Sequence, residues 1–294
     1  MAGSPRHGIV VGVDGSETST AAVAWAAREA VRRDVPLSIV HVLPSRATPA
    51  WPDFPFSNVL AARDETRARM LLQAAERVAE LSVGNLGPIA LSCTTLTGHA
   101  TATLVSLSED AAMVVVGRSG DSVPYRRFLG SVAAGLVHHA RCAVAVVPGD
   151  DLGAGAHEFP ILLGVDGPPA GESSIAIAFD EASLRGVDLV ALHVWALTDV
   201  HRFDASERQR LISVGEAALR ARLAHWQSCY PDVRVDRRLL FGEPAHLLVE
   251  ASGSAQLTVV GSHGGGGFAE MLLGSVSSEV VRSARTPVIV MRAK

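Results

Sequence analysis

Two segments of the sequence carry glycines at a spacing suited to holding phosphate. The first is Gly117, Gly120, Gly130 and Ser131; the second is Gly261, Gly264, Gly274 and Ser275. In each, two residues separate the first pair of glycines and nine separate the next pair. Glycine tolerates positive φ and has no side chain, so the backbone can turn tightly and approach a ligand. Consecutive N–H groups in such a turn form a nest for an anion. The serine then opens a helix whose first N–H groups lack internal partners. That end favours phosphate by roughly 0.3–1 kcal/mol per charge when exposed. Val132 and Val276 follow in the same first turn. The plainer alternative is a strand-to-helix turn, and the identical spacing of the two copies weighs against it. Arg126 and Arg127 lie inside the first loop and can close over phosphates. The second loop has Glu270 and Met271 there, after a run of glycines that includes Gly264 and Gly265. The first site should therefore hold the more charged ligand better.

Asp14 and Asp166 each end an apolar run, in VGVDG and LGVDG. If that strand neighbours the one before the glycine loop, the carboxylate faces the loop across a crevice. It can accept from ribose hydroxyls or an adenine amino group. It would repel a triphosphate, so it belongs at the nucleoside end. It can equally cap the following helix, and the two roles are compatible.

These segments belong to a repeat that spans the chain. Gly8–Ser16 returns at Pro160–Pro168 and Leu37–Val42 at Leu189–Val194, both at an offset of 152. Met113–Gly120 returns at Leu257–Gly264, and Ala143–Gly149 at Pro287–Ala293, now offset by 144. The first copy is longer between the two sets, where it carries the Pro-rich RATPAWPDFPF, read as a surface loop. In each copy apolar strand-like runs alternate with helical patterns. In the first these are strands at Gly8–Val13, Pro36–Leu43, Ile89–Leu96, Ala112–Val116 and Ala143–Val147. Helices are expected at Ala21–Arg33, Asn58–Leu81, Ala100–Ser108 and Gly130–His139. Such alternation predicts a parallel sheet with helices on both faces. A linker, Pro148–Pro160, divides the chain into domains at 1–150 and 158–294.

Composition removes several function classes. The chain has 294 residues, enough for two domains, and 48% are hydrophobic, so disorder is excluded. A net charge of −4 advertises no nucleic-acid partner. No apolar run is long enough to span a bilayer, and the N-terminus lacks a signal peptide's apolar segment. The cysteines Cys93, Cys142 and Cys229 form no CxxC, which fits a reducing cytoplasm. Lys294, the last residue, is the only lysine among 26 basic residues, so phosphate-loop and Schiff-base lysines are absent unless the C-terminal tail supplies one. There is no G-x-S-x-G, H-E-x-x-H or complete G-x-G-x-x-G after the first strand. His138, His139 and Cys142 have metal-like spacing but straddle a helix end, so a helix-ending pair and a buried thiol are expected. His41 and His193 sit at equivalent places in apolar strands, where hydrogen-bonded structural histidines are expected. Trp51 lies in the Pro-rich loop, where it can cover a ligand.

Together the G-x2-G-x9-G-S motif, VGVDGS and the HV of the second strand resemble the universal stress protein family, in its tandem, ATP-binding form. The resemblance covers nearly the whole chain. It implies two Rossmann-like α/β domains, each a five-stranded parallel sheet of order 3-2-1-4-5. It implies ATP, with or without a magnesium ion, at Gly12, Asp14, Val42, Gly117, Gly120, Gly130, Ser131 and Val132, to which the loop's own chemistry adds Arg127. In the second copy it implies Gly164, Asp166, Val194, Gly261, Gly264, Gly274, Ser275 and Val276, and Gly265 of the glycine run joins them as a candidate. The role implied is a cytoplasmic, nucleotide-dependent regulator of stress response and dormancy acting on a protein partner, with no catalytic residue. A slow ATP hydrolase or nucleotidyl transferase is the competing reading. The final strands, Ala143–Val147 and Pro287–Val290, are expected at sheet edges, where they invite a homodimer. Gly117→Glu and Asp14→Glu are predicted to impair binding at the first site while leaving the fold intact, which equilibrium dialysis on folded variants would measure.

Overall fold

The computed structural model describes residues 7–45, 57–120, 129–149, 158–166, 171–195, 204–262 and 273–291. The chain divides into two compact units, Met1–Asp151 and Leu152–Lys294. The first contains β1 (Ile9–Gly12), α1 (Glu17–Arg32), β2 (Leu37–Pro44), α2 (Ser57–Val83), β3 (Leu91–Gly98), α3 (Ala100–Leu107), β4 (Met113–Gly117), α4 (Ser131–His139) and β5 (Ala143–Val147). The second contains β6 (Ile161–Val165), α5 (Glu172–Arg185), β7 (Leu189–Trp195), α6 (Ala205–Cys229), β8 (Val235–Phe241), α7 (Pro244–Ser252), β9 (Leu257–Gly261), α8 (Ser275–Ser283) and β10 (Val288–Met291).

Within the first unit the strand order is β3-β2-β1-β4-β5, and within the second β8-β7-β6-β9-β10. Every pairing inside a unit is parallel. This is the Rossmann-like order that the resemblance implied, found twice. Right-handed crossovers dictate where the helices lie. The chain steps from β1 to β3 in one direction, then crosses back to β4 and continues to β5. Helices on the first leg therefore cover one face and those on the second leg the other. Accordingly α1 packs on α2, and α3 on α4. The same holds for α5 with α6 and α7 with α8.

A sheet covered on both faces needs apolar strands without alternation. Ile9, Val10 and Val11 of β1 are fully buried, as are Ile161 and Leu163 of β6. The strands β3 and β8, last in order in their units, alternate or face water. Helix α1 begins four residues before the start predicted from its alanine pattern. Ser16 explains the difference. Its hydroxyl accepts from the Ser19 amide at 3.2 Å, so the polar ETST segment is capped and joins the helix.

Each first helix also buries a carboxylate at the same place in the repeat. Glu29 meets Arg33 at 2.6 Å, and Glu181 meets Arg185 at 2.7 Å. Both glutamates have no exposed side-chain surface. Removing the arginine withdraws the nearest opposite charge from a buried carboxylate, so Arg185→Ala should destabilise the fold by up to about 3–5 kcal/mol. The double variant Glu181→Leu/Arg185→Leu should recover most of that, and urea denaturation of the three proteins measures it.

Candidate functional site

In both units the first strand lies beside the fourth, β1 on β4 and β6 on β9. The strand order reverses there, and beyond the carboxyl ends of such strands a crevice opens. Asp14 stands just past β1. Its Oδ1 accepts from the Ser16 amide at 3.0 Å and from the Ser16 hydroxyl at 2.6 Å. Its Oδ2 faces the β4 loop, so that a Cβ placed on Gly120 would lie 2.7 Å from it. The first-strand carboxylate and the glycine loop therefore meet across the crevice. The cap of α1 is Ser16 and that of α5 is Gly171, so neither Asp14 nor Asp166 caps its helix. The capping role considered for these aspartates is corrected accordingly.

The glycine loop is closed at its base. The Arg118 amide donates to the Val147 carbonyl and the Gly130 amide to the Arg118 carbonyl, both at 2.8 Å. A Cβ on Gly130 would lie 3.5 Å from the Gly120 nitrogen, so two glycines of the motif come together. Helix α4 then starts at Ser131, which is exposed, and Gly130 supplies no side-chain cap. The first amides of α4 thus open beside Gly120, with Val132 half-buried below them. The second unit repeats the closure. The Ser262 amide donates to the Met291 carbonyl at 2.7 Å and Gly274 to the Ser262 carbonyl at 2.8 Å. Ser275 is again exposed and Val276 half-buried. Here the Ser277 hydroxyl also donates to the Gly261 carbonyl at 2.5 Å.

The strand histidines brace this end of the sheet. His41 Nδ1 lies 2.8 Å from the Val13 carbonyl, and His193 Nδ1 lies 2.7 Å from the Val165 carbonyl. A carbonyl only accepts, so each Nδ1 carries the proton and pins the backbone just before an aspartate. Gly12 pairs with Val40, which sets Val42 level with Asp14 along the strands. Val165 pairs with His193, which sets Val194 level with Asp166.

Other motif glycines make room for packing. A Cβ on Gly12 would lie 2.8 Å from Leu104 Cδ1, and one on Gly164 would lie 3.2 Å from Leu248 Cδ2. These gaps let α3 and α7 seat on the sheet. A Cβ on Gly117 would lie 2.7 Å from the backbone carbon of Thr18. Backbone cannot swing aside, so Gly117→Glu should disturb the fold as well as the loop, which corrects the expectation that it leaves the fold intact. Thr18 is a residue the sequence reading passed over. Its hydroxyl donates to the Ser119 carbonyl and lies 3.2 Å from the Ser16 hydroxyl, tying α1 to the glycine loop. Its only sequence signal is a hydroxyl at the second position of the helix.

Arg126, Arg127, Gly264, Gly265 and Trp51 lie outside the described residues. Among the described residues no group of three or more His, Cys, Asp or Glu could hold a metal ion. His138 and His139 close α4. Burial pushes the Cys142 thiol up to about 12, which keeps it protonated. Among the described residues no helix is long and apolar enough to cross a membrane.

The two loop glycines of the first unit should separate in a stability measurement. Gly117→Ala meets backbone and should cost about 1–3 kcal/mol. Gly120→Ala meets only the end of the Asp14 side chain and should cost less than about 1 kcal/mol. Urea denaturation compares them, and equal losses would contradict this account of the loop.

The universal stress protein family model matches residues 5–148 and 159–292. A universal stress protein of Mycolicibacterium smegmatis is 44% identical over 290 residues, which cover 98% of each chain. One from Mycobacterium tuberculosis strain H37Rv is 42% identical over 288 residues, covering 98% of this chain and 97% of its own. The crystal structure of a universal stress protein from Archaeoglobus fulgidus shares the fold, with a TM-score of 0.70 at 18% identity, over 97% of this chain and 98% of that one. With the fold found twice and the family matched across both halves, this chain belongs to the universal stress protein family and carries its domain in tandem.

Proposed function

We propose that the chain binds ATP in its two crevices and acts as a cytoplasmic, nucleotide-dependent regulator of stress response and dormancy. One observation carries the reading: the Asp14 carboxylate stands against Gly120 while Gly130 returns onto the same glycine beside an uncapped helix start. A side chain at Gly120 or Gly130 would fill that hollow, so its room is kept by glycine. Anionic phosphates suit the amides of the loop and of α4. The carboxylate suits the ribose hydroxyls or the adenine amino group. The residues present thus fit an adenine nucleotide, with or without magnesium. Gly12 and Gly164 contribute by letting α3 and α7 close on the sheet. The remaining motif positions, Val42, Ser131 and Val132, and Val194, Ser275 and Val276, line the strand and helix ends. Arg127, Gly264 and Gly265 complete the loops in this reading. Occupancy is passed to a protein partner, and two chains pair into a homodimer.

The chain's own groups favour binding over turnover. Lys294, the last residue of the second copy, is the only lysine in the chain, and neither glycine motif contains one. The competing reading, an ATP hydrolase or nucleotidyl transferase, requires sustained turnover. Purified protein should carry adenine nucleotide identifiable by mass spectrometry. Added ATP at about 100 times its dissociation constant should stabilise the fold by about 2.7 kcal/mol. Asp14→Glu, which adds bulk at the nucleoside end, should weaken binding at the first site without unfolding it. Phosphate release should stay far below about 1 per second over many hours. Absence of bound nucleotide together with no thermal shift would sink the proposal, and release near that rate would favour the enzyme.

A further inference from the structure

We propose that Arg222 is a positioning residue of the second site, holding the end of β6 where the first site uses a serine turn. The proposal rests on reading the two crevices as nucleotide sites. In the first unit two hydroxyl residues hold the crevice. Ser16 bonds the Asp14 carboxylate twice, and Thr18 ties α1 to Ser119. At the offset of 152 their counterparts are Pro168 and Ala170. Proline has no N–H to donate, and neither residue has a hydroxyl. The two hydroxyls of the first unit are therefore replaced at the equivalent positions of the second.

Helix α6 supplies a replacement from 56 residues away. Arg222 Nη1 donates to the Asp166 backbone carbonyl. A Cβ on Gly171 would stand 2.6 Å from Arg222 Nη2, so the guanidinium also lies against the start of α5. One turn further along α6, the Trp226 indole Nε1 donates to Glu172 Oε2 at 3.2 Å. Successive turns of α6 thus grip the chain on both sides of residues 167–170. The first unit has a different contact. There α2 sets Leu71 over the turn, with its Cδ1 3.1 Å from where a Gly15 Cβ would be. That contact is apolar and orients no carbonyl. A guanidinium bonded to the carbonyl of Asp166 anchors the backbone from which the carboxylate projects, and so limits where it can stand before any ligand arrives.

The test is photolabelling of the full chain with 8-azido-ATP over a concentration series, with labelled peptides assigned to each unit by mass spectrometry. In Arg222→Ala, half-saturation of second-unit peptides should rise about tenfold, the scale of a lost charge-assisted hydrogen bond. First-unit peptides should saturate as in the wild type. Arg222→Lys should restore only part of the loss, because an ammonium lacks the planar fork. Gly171→Ala keeps the charge but displaces the guanidinium, and should reproduce the shift. Second-unit labelling unchanged in Arg222→Ala, with both units labelled in the wild type, overturns the role of Arg222 alone. A shift of equal size in both units also overturns it, since that marks a general loss of structure. No labelling in the wild type overturns the nucleotide reading and this proposal with it.

Discussion

A strand covered on both faces has nowhere to present polar chemistry except beyond its ends. In this protein β1 and β4 are walled in by helices, and their residues are apolar up to the last position. Polar side chains and loose amides collect where the two strands stop and the strand order reverses. The whole candidate site depends on the few atoms there. The Asp14 carboxylate leans on Gly120, Gly130 returns to meet it, and Thr18 ties the loop to α1. The histidines on β2 and β7 belong to the same brace, because they fix the carbonyl that precedes each aspartate.

Glycine recurs here for two separate physical reasons. Gly12, Gly164 and Gly117 make room for protein atoms: two leucines and a threonine backbone. Gly120 and Gly130 make room beside a carboxylate and a row of amides. A motif read in one dimension merges these roles. Substitution separates them, since filling the first kind disturbs the fold and filling the second disturbs the hollow.

Duplication has preserved backbone geometry more closely than side chains. The loop-closing bonds, Gly130 to Arg118 and Gly274 to Ser262, have the same length of 2.8 Å in both units. Backbone atoms are common to all residues, so such a bond survives sequence drift. The anchors that rely on side chains have diverged. Ser16 and Thr18 have lost their hydroxyls in the second copy, Ser277 has gained one, and an arginine from α6 reaches in. Two sites with one scaffold can then differ in how firmly they are set before a ligand arrives.

The repeat, the strand–helix alternation and the glycine spacing were legible along the chain because each depends on local pattern. Apolar runs mark strands buried on both faces, and matched offsets mark copies of one domain. The carboxylate could be placed opposite the glycine loop once β1 was set beside β4. The start of α1 departs from the alanine pattern because Ser16 recruits polar residues into the helix through a single cap. Leu104 in the gap of Gly12, Thr18 against Gly117, and Arg222 on the Asp166 carbonyl could not be read, for one reason. Each joins residues far apart in sequence through a contact that no periodicity encodes. Local chemistry thus determined which elements form and where an anion could be received. Only packing in three dimensions decided which glycine guards the fold, which guards the hollow, and which distant side chain bonds the backbone carbonyl of the second aspartate.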